Sequence, residues 1–435
     1  MTDIKYTGDN RIDVYRYGTD RFKTESISIY FSVPTVKEKS VARSLLLSVL
    51  KRGTERFPTQ KLINERLDEL YATLVNLKNQ KFDNVQLLGI SADIIYSEHI
   101  EENKDILPEV LDLINQMLFC PRLDSNTGMF CEEFINSEKE NYKSIILSQI
   151  NEPRTYAAIR CREEMFSSLG ITDSLEIMCQ KIEDTTASEI YDCYLELQNS
   201  AKILAFYVGK REAGEVREHL ENAFGKREFE IVNVSAQMPK LLENLKEPNV
   251  VVEQADISQG RLVMGLNCGI TWRDEEYYAT LLFNEILGAS PISKLMINVR
   301  EKLSLCYECS SVYNSSRGAI FVTTGIDSDN YELAKSAIIE QIDDMRAGKI
   351  SETEFSAAKK SILNVYSAVL DSPSAIERFY LGRIINEIEV DIPDFLEKIQ
   401  RVTLDQIIAV AKKINLHTVF FLQGEQGGEE DFCDE

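Results

Sequence analysis

The chain is written twice, and no other feature constrains its fold as much. EEFINSEKENYKSIILSQINEPRTYAAIR begins at Glu132 and TEFSAAKKSILNVYSAVLDSPSAIERFYLGR at Thr353. Both run Glu-Phe, helix, proline break, then a helix with an aromatic residue and an arginine. A second pair has the same property. KLINERLDELYATLVNL from Lys61 carries helical apolar spacing into Tyr71 and then an apolar run, and KLMINVREKLSLCYECSS from Lys294 carries it into Tyr307 and a strand. Each half also closes on a short apolar strand, 203–208 and 419–422. These pairings predict an α+β protein of two homologous domains. Each is a mainly antiparallel sheet packed with helices, related to the other by the internal repeat.

The rest of the chain fits that frame. Apolar alternation at 12–17 and 26–33, with turn chemistry between, predicts a hairpin. The segment 41–54 predicts a buried helix, since Val41, Leu45, Leu46, Leu47, Val49 and Leu50 leave little polar face, and Gly53 ends it. Further helices are expected at 59–70, 104–118, 131–150, 155–167, 188–197 and 211–224, with strands at 85–95 and 203–208. The order then restarts. Strands are expected at 250–253, 261–266 and 319–325, a buried helix at 275–287, and helices at 330–345, 351–370, 376–388 and 404–414. Two prolines and weak periodicity make 229–248 the linker. The domain reading is therefore 1–228, a linker at 229–248, and 249–424. The acidic, Gly-rich tail 425–435 is expected to be disordered.

Charge and cysteines exclude several function classes. At 435 residues and a net charge of −23, the chain lacks the basic footprint that nucleic acid or an anionic membrane surface requires. The charge suits a soluble protein, or one that draws in basic peptides at long range. No run of 18 apolar residues suggests a membrane span, and the first 20 residues lack the apolar core of a signal peptide. Nine scattered cysteines, an odd number, read as reduced thiols, so the expected location is cytoplasmic.

Three constellations could carry chemistry. A zinc hydrolase needs converging N, O or S ligands, commonly two histidines one helical turn apart. The three histidines here, His99, His219 and His417, lie far apart in sequence, so they read as surface or strand-end residues. Cys306-x-x-Cys309 lies at a strand start. The redox version of that motif belongs at a helix N-terminus, so the expectation is two small half-buried residues. Arg300 and Tyr307, seven apart, read by spacing alone as a solvated helix arginine and a strand tyrosine.

The repeat, the buried helix ending in KRGT, and NVREKLSLCY together resemble the pitrilysin and mitochondrial processing peptidase superfamily of zinc peptidases, over essentially the whole chain. That resemblance implies an H-x-x-E-H zinc motif in the helix before Gly53-Thr54. The corresponding positions here hold Ser44, Leu45, Leu46, Leu47 and Ser48. Serine replaces both ligand histidines, and Leu47 replaces the general base. A further zinc-binding glutamate is implied in the helix containing SEKENYKSII, where the register puts Ile145. Glu138 and Glu140 then read as solvated helix charges. The family's second signature, an arginine and a tyrosine seven apart facing the zinc across a closed chamber, matches Arg300 and Tyr307. The chain resembles the metal-free subunits of bacterial two-subunit peptidases. The resemblance implies no cofactor on this chain, zinc in a homologous partner subunit, and peptide substrates. The alternative is a non-enzymatic peptide-binding or scaffold protein that self-associates as a homodimer.

Overall fold

The computed structural model describes residues 4–8, 12–171, 173–224, 234, 237–238 and 240–424. The expected tail 425–435 and much of the expected linker, including residues 229–233, lie outside the described residues. In chain order the first half holds β1 (Ile4–Gly8), β2 (Ile12–Gly18), β3 (Thr24–Pro34), α1 (Ser40–Leu50), α2 (Gln60–Glu69), β4 (Leu74–Phe82) and β5 (Val85–Ile95). It continues with α3 (Leu107–Phe119), α4 (Glu132–Ile150), α5 (Pro153–Phe166), α6 (Leu175–Asp184), α7 (Ala187–Ser200), β6 (Lys202–Gly209) and α8 (Ala213–Phe224). The second half holds β7 (Asn249–Ala255), β8 (Gly260–Asn267), α9 (Tyr277–Asn284), two π-helical segments (Glu285–Ala289 and Leu295–Lys302), β9 (Cys306–Asn314) and β10 (Ala319–Ile326). It ends with α10 (Tyr331–Arg346), α11 (Glu352–Ser367), α12 (Pro373–Ile385), α13 (Ile392–Arg401), α14 (Leu404–Lys413) and β11 (Asn415–Gly424).

The two sheets repeat one topology. The first runs β1-β2-β6-β3-β5-β4 and the second β7-β11-β8-β10-β9. Each has one parallel pair, β2 with β6 and β7 with β11, and is otherwise antiparallel. Strand for strand the second sheet is the first without β1. The α+β fold with a repeated, mainly antiparallel sheet is thus the observed architecture.

The chain groups into two compact units that exchange a segment of sequence. One contains Met1–Ile145, Glu176–Met238 and Ala368–Asp391, the other Ile146–Leu175, Pro239–Ser367 and Ile392–Glu435, as far as these residues are described. The partition at 229–248 describes the repeat along the sequence, whereas the contacts interleave. In the first unit, Leu381, Ile384 and Ile385 of α12 pack on Tyr30, Val85, Leu87 and Leu204 of the sheet. In the second, Ala157, Cys161, Met165 and Phe166 of α5 pack on Val263, Phe321, Phe420 and Leu422. The proline of each repeat starts the exchanged helix, for Pro153 and Pro373 stand in the first turns of α5 and α12. Proline is tolerated there because its missing N–H would have no partner within the helix.

Two sequence expectations need correction. The strands at 12–17 and 26–33 do not form a hairpin, because β6 lies between them, parallel to β2 and antiparallel to β3. All seven residues from Ile203 to Gly209 are buried, and a continuously apolar strand belongs inside a sheet rather than beside it. The strand β4 was not expected as an element. Its sequence, LVNLKNQKF, is polar and lysine-bearing, which suits its place at the sheet edge.

Buried polar groups pin the first unit. Glu25 is fully buried. It accepts hydrogen bonds from the Tyr207 hydroxyl at 2.7 Å and from Arg211 Nε and Nη2 at 2.7 and 2.9 Å. Arg43, also fully buried, donates to the Pro34 carbonyl, Gln86 and Glu196. Tyr30 donates to Glu377 of α12 at 2.6 Å, and burial beside that carboxylate pushes the phenol's pKa up. Among the described residues no helix is long and apolar enough to cross a membrane.

Candidate functional site

The first candidate region is the helix with the degenerate motif. α1 is buried along most of its length, with Leu45, Leu46 and Leu47 at 1, 0 and 3% exposure. Leu47 therefore points into packing. The hydroxyl of Ser44 donates back to the Ser40 carbonyl at 2.9 Å and accepts from Asn79 Nδ2 at 3.1 Å. Ser48 turns back in the same way toward the Ser44 carbonyl, at 3.5 Å. Serines that satisfy their own helix offer a metal nothing better than a neutral hydroxyl, and zinc takes imidazole, thiolate or carboxylate. The residues present do not fit a zinc ion.

The other implied positions agree with that. Ile145 of α4 is 55% exposed and apolar. Glu138 corrects the expectation of a solvated charge. Its carboxylate forms an ion pair with Arg52 of the KRGT stretch, with both side chains mostly buried, and Arg52 Nη2 also donates to Ser137 at 2.9 Å. The pair ties the end of α1 to α4. Glu140 is exposed. Among the described residues, no group of three or more His, Cys, Asp or Glu side chains could hold a metal. The histidines stand apart. His99 and His219 lie near Glu98 and Glu215 at 3.7 and 4.0 Å. His417 is buried inside β11 beside the Thr418 hydroxyl at 2.8 Å, and burial lowers its pKa.

The second candidate region lies in the other unit. Arg300 sits on the π-helical segment Leu295–Lys302, and Tyr307 is the second residue of β9. The turn between them is wide and strained. The Leu303 N–H reaches the Asn298 carbonyl, and the Leu305 N–H reaches that of Val299, both at 3.2 Å. Ser304 takes a left-handed φ of 52°. π-turns and non-glycine residues at positive φ persist where surrounding structure fixes them, and both cluster at functional sites. The result is an open cavity of about 630 Å³ lined by Gln259, Arg300, Glu301, Ser304, Cys306 and Tyr307, among others. Tyr307 is 79% exposed. The backbone around it is anchored, since Glu308 pairs with Arg154 at 2.8 Å and its carbonyl accepts from Thr324 Oγ1 at 2.8 Å.

An exposed guanidinium and an exposed phenol beside one cavity can donate to a carboxylate or to an oxygen developing negative charge. Sequence reasoning missed Ser304 and Gln259 as members of this surface. Nothing in the sequence marks Ser304, because glycine or asparagine is the usual sign of a positive φ. Cys306, read from sequence as a half-buried residue at a strand start, also lines the cavity.

Comparison with known proteins adds three findings. Residues 184–362 match the family model described as the Peptidase M16 inactive domain. A curated protein of Bacillus subtilis (strain 168), "Probable inactive metalloprotease YmfF", is 29% identical over 409 residues, covering 94% of this chain and 95% of its own length. Among solved structures, a conserved protein from Enterococcus faecalis V583 superposes with a TM-score of 0.88 at 26% identity, covering 98% of this chain and 100% of that one. A protease from Helicobacter pylori superposes with a TM-score of 0.75 at 12% identity, covering 97 and 99% of the two chains, which speaks to the fold alone.

Proposed function

The chain is a member of the pitrilysin-type M16 peptidase superfamily that lacks the zinc motif, and on that premise we propose that it serves as the non-catalytic subunit of a two-subunit zinc peptidase. It pairs with a homologue that carries H-x-x-E-H, and it offers Arg300 and Tyr307 to the partner's site. One observation carries the reading. The positions that would hold zinc are closed into packing and helix hydrogen bonds, while Arg300 and Tyr307 stand exposed beside a cavity on a strained turn.

The chemistry follows from the two side chains. Zinc in the partner would supply the activated water and part of the charge stabilisation. Attack on a peptide carbonyl leaves negative charge on its oxygen, and donors on a facing wall can take a share of it. A phenol O–H and a guanidinium both donate, and neither titrates near pH 7 in its ordinary state. The anchored carbonyl of Glu308 fixes the strand from which Tyr307 projects. Peptides are the substrates of this reading, the location is the cytoplasm, and the chain itself takes no cofactor.

Co-purification from the native host tests the pairing. The expected result is a stoichiometric complex with an H-x-x-E-H homologue that cleaves peptides, while the isolated chain neither retains zinc by elemental analysis nor cleaves. Full activity of an assembled complex bearing both Arg300→Ala and Tyr307→Phe would end the in-trans role and leave the self-associating scaffold.

A further inference from the structure

The two cysteines of β9 stand in a relation that their spacing alone forbids. Residues three apart on a regular strand point to opposite faces. Here the register with β10 shifts. Thr324 lies opposite Cys309 and Ile326 opposite Cys306, so one residue of β10 faces two of β9. That extra residue is a β-bulge, and it turns both cysteines to the same face of the sheet. Cys306 is half-buried at the cavity with Arg300 and Tyr307, and Cys309 is fully buried behind it. The neighbouring Cys309 thiol above all, with the Arg300 charge, lowers the pKa of the Cys306 thiol. The Cys306 sulfur beside it and burial raise the Cys309 thiol. The cysteines in the described residues are free.

We propose that Cys306 and Cys309 form a two-cysteine site that reacts with hydroperoxides, Cys306 being the attacking thiol and Cys309 the resolving one. The Cys306 thiolate attacks the terminal oxygen of the hydroperoxide, an S–O bond forms, and the O–O bond breaks. The alcohol or water departs with one proton from solvent, and Cys306 becomes a sulfenic acid. The Cys309 sulfur then attacks that sulfur, an S–S bond forms, and water leaves with the Cys309 proton. Two thiols lose two electrons and the peroxide gains them. Division of labour follows from place. The half-buried member at the cavity carries the thiolate and meets the oxidant, while the buried member keeps its proton until the sulfenic acid forms beside it. Because Tyr307 lies between the two cysteines, the disulfide would fix the bulge that aims it. The inference does not depend on the in-trans reading.

The test uses the full chain, hydrogen peroxide and mass spectrometry. Trypsin releases both cysteines in one peptide, residues 303–317, since Lys302 and Arg317 bound it. After peroxide and then alkylation, that peptide is expected to have lost two hydrogens and to take no alkyl group, and reductant should restore both thiols. Alkylation at neutral pH should reach Cys306 about tenfold faster than an ordinary exposed thiol, as its larger thiolate fraction requires. In Cys309→Ala, dimedone should trap a sulfenic acid at Cys306, and in Cys306→Ser the peptide should not react. Unchanged double alkylation of the wild-type peptide after peroxide would overturn the site. So would sulfenic acid that dimedone still traps at Cys306 while Cys309 is intact, since the resolving step would then be missing. The wild-type measurement needs no variant, so the outcome stands even if a substitution unfolds the chain.

Discussion

The two helix-to-edge-strand junctions of the repeat share a backbone device and differ in the chemistry they carry. In the first unit Tyr71 and Ala72, with φ of 57° and 55°, follow α2 before the edge strand β4. In the second, the π-helical segment Leu295–Lys302 ends near Ser304, with φ of 52°, before the edge strand β9. The left-handed turn at the first junction shows that such strain belongs to the repeated fold. What separates the second is the widened π-turn, the cavity, and an arginine and a tyrosine exposed beside it. The buried helices differ in the opposite sense. α1, which the resemblance aligns with a zinc-binding helix, is a packing element here, with Leu45, Leu46 and Leu47 all buried.

The largest expected effect breaks the symmetry of the tyrosines. In a reconstituted complex, Tyr307→Phe should lower kcat by about 10²–10³, the usual cost of one oxyanion donor. Tyr71→Phe should leave kcat unchanged. Arg300→Ala should weaken peptide binding and turnover together. Equal effects of the two tyrosine changes on steady-state kinetics would erase the distinction between the junctions.

Next is an attempt to restore the motif. Leu47 is 3% exposed, so Leu47→Glu buries a carboxyl without a partner and should cost on the order of 3 kcal/mol. Adding Ser44→His and Ser48→His should still give no tight zinc site, because Ile145 supplies no ligand. Urea unfolding and elemental analysis check this. A triple variant that is as stable as the parent and holds one zinc would show that α1 has kept its metal-binding geometry.

The tie between α1 and α4 comes third. Glu138→Ala leaves Arg52 without its carboxylate and should cost about 1.5–3 kcal/mol, the range for hydrogen bonds to charged groups. A variant within error of the parent in urea unfolding would return Glu138 to the status of a solvated charge. The smallest expected effects are those of Ala72→Gly and Ser304→Gly. Each relieves a left-handed residue, and the gain in stability should be at most about 1 kcal/mol once the added chain entropy is set against it. The two should look alike in thermal unfolding, yet only Ser304→Gly should also reduce the activity of the assembled pair.

The repeat was legible because it is a matter of periodicity and punctuation. The apolar stripe of α1, the prolines before α5 and α12, and the runs of β5 and β6 are local signals, and local signals survive in sequence. The positions that the resemblance assigns to the zinc motif, Ser44, Leu47 and Ser48, could be named from residue type and the surrounding motif alone. The hairpin failed because turn chemistry between β2 and β3 cannot reveal that β6, from far downstream, takes the place between them. β4 escaped notice because edge strands are polar by design against aggregation, which removes the pattern that marks a strand.

What the sequence determined by itself is the twice-written α+β plan. Only the tertiary structure decided that α12 covers the first sheet and α5 the second, that Glu138 is held by Arg52, and that Cys306 and Cys309 face the same way. Each of these depends on a partner distant in sequence. A burial surface, an ion pair or a strand register exists only once both partners are in place, and a one-residue shift in register reverses which side chains meet.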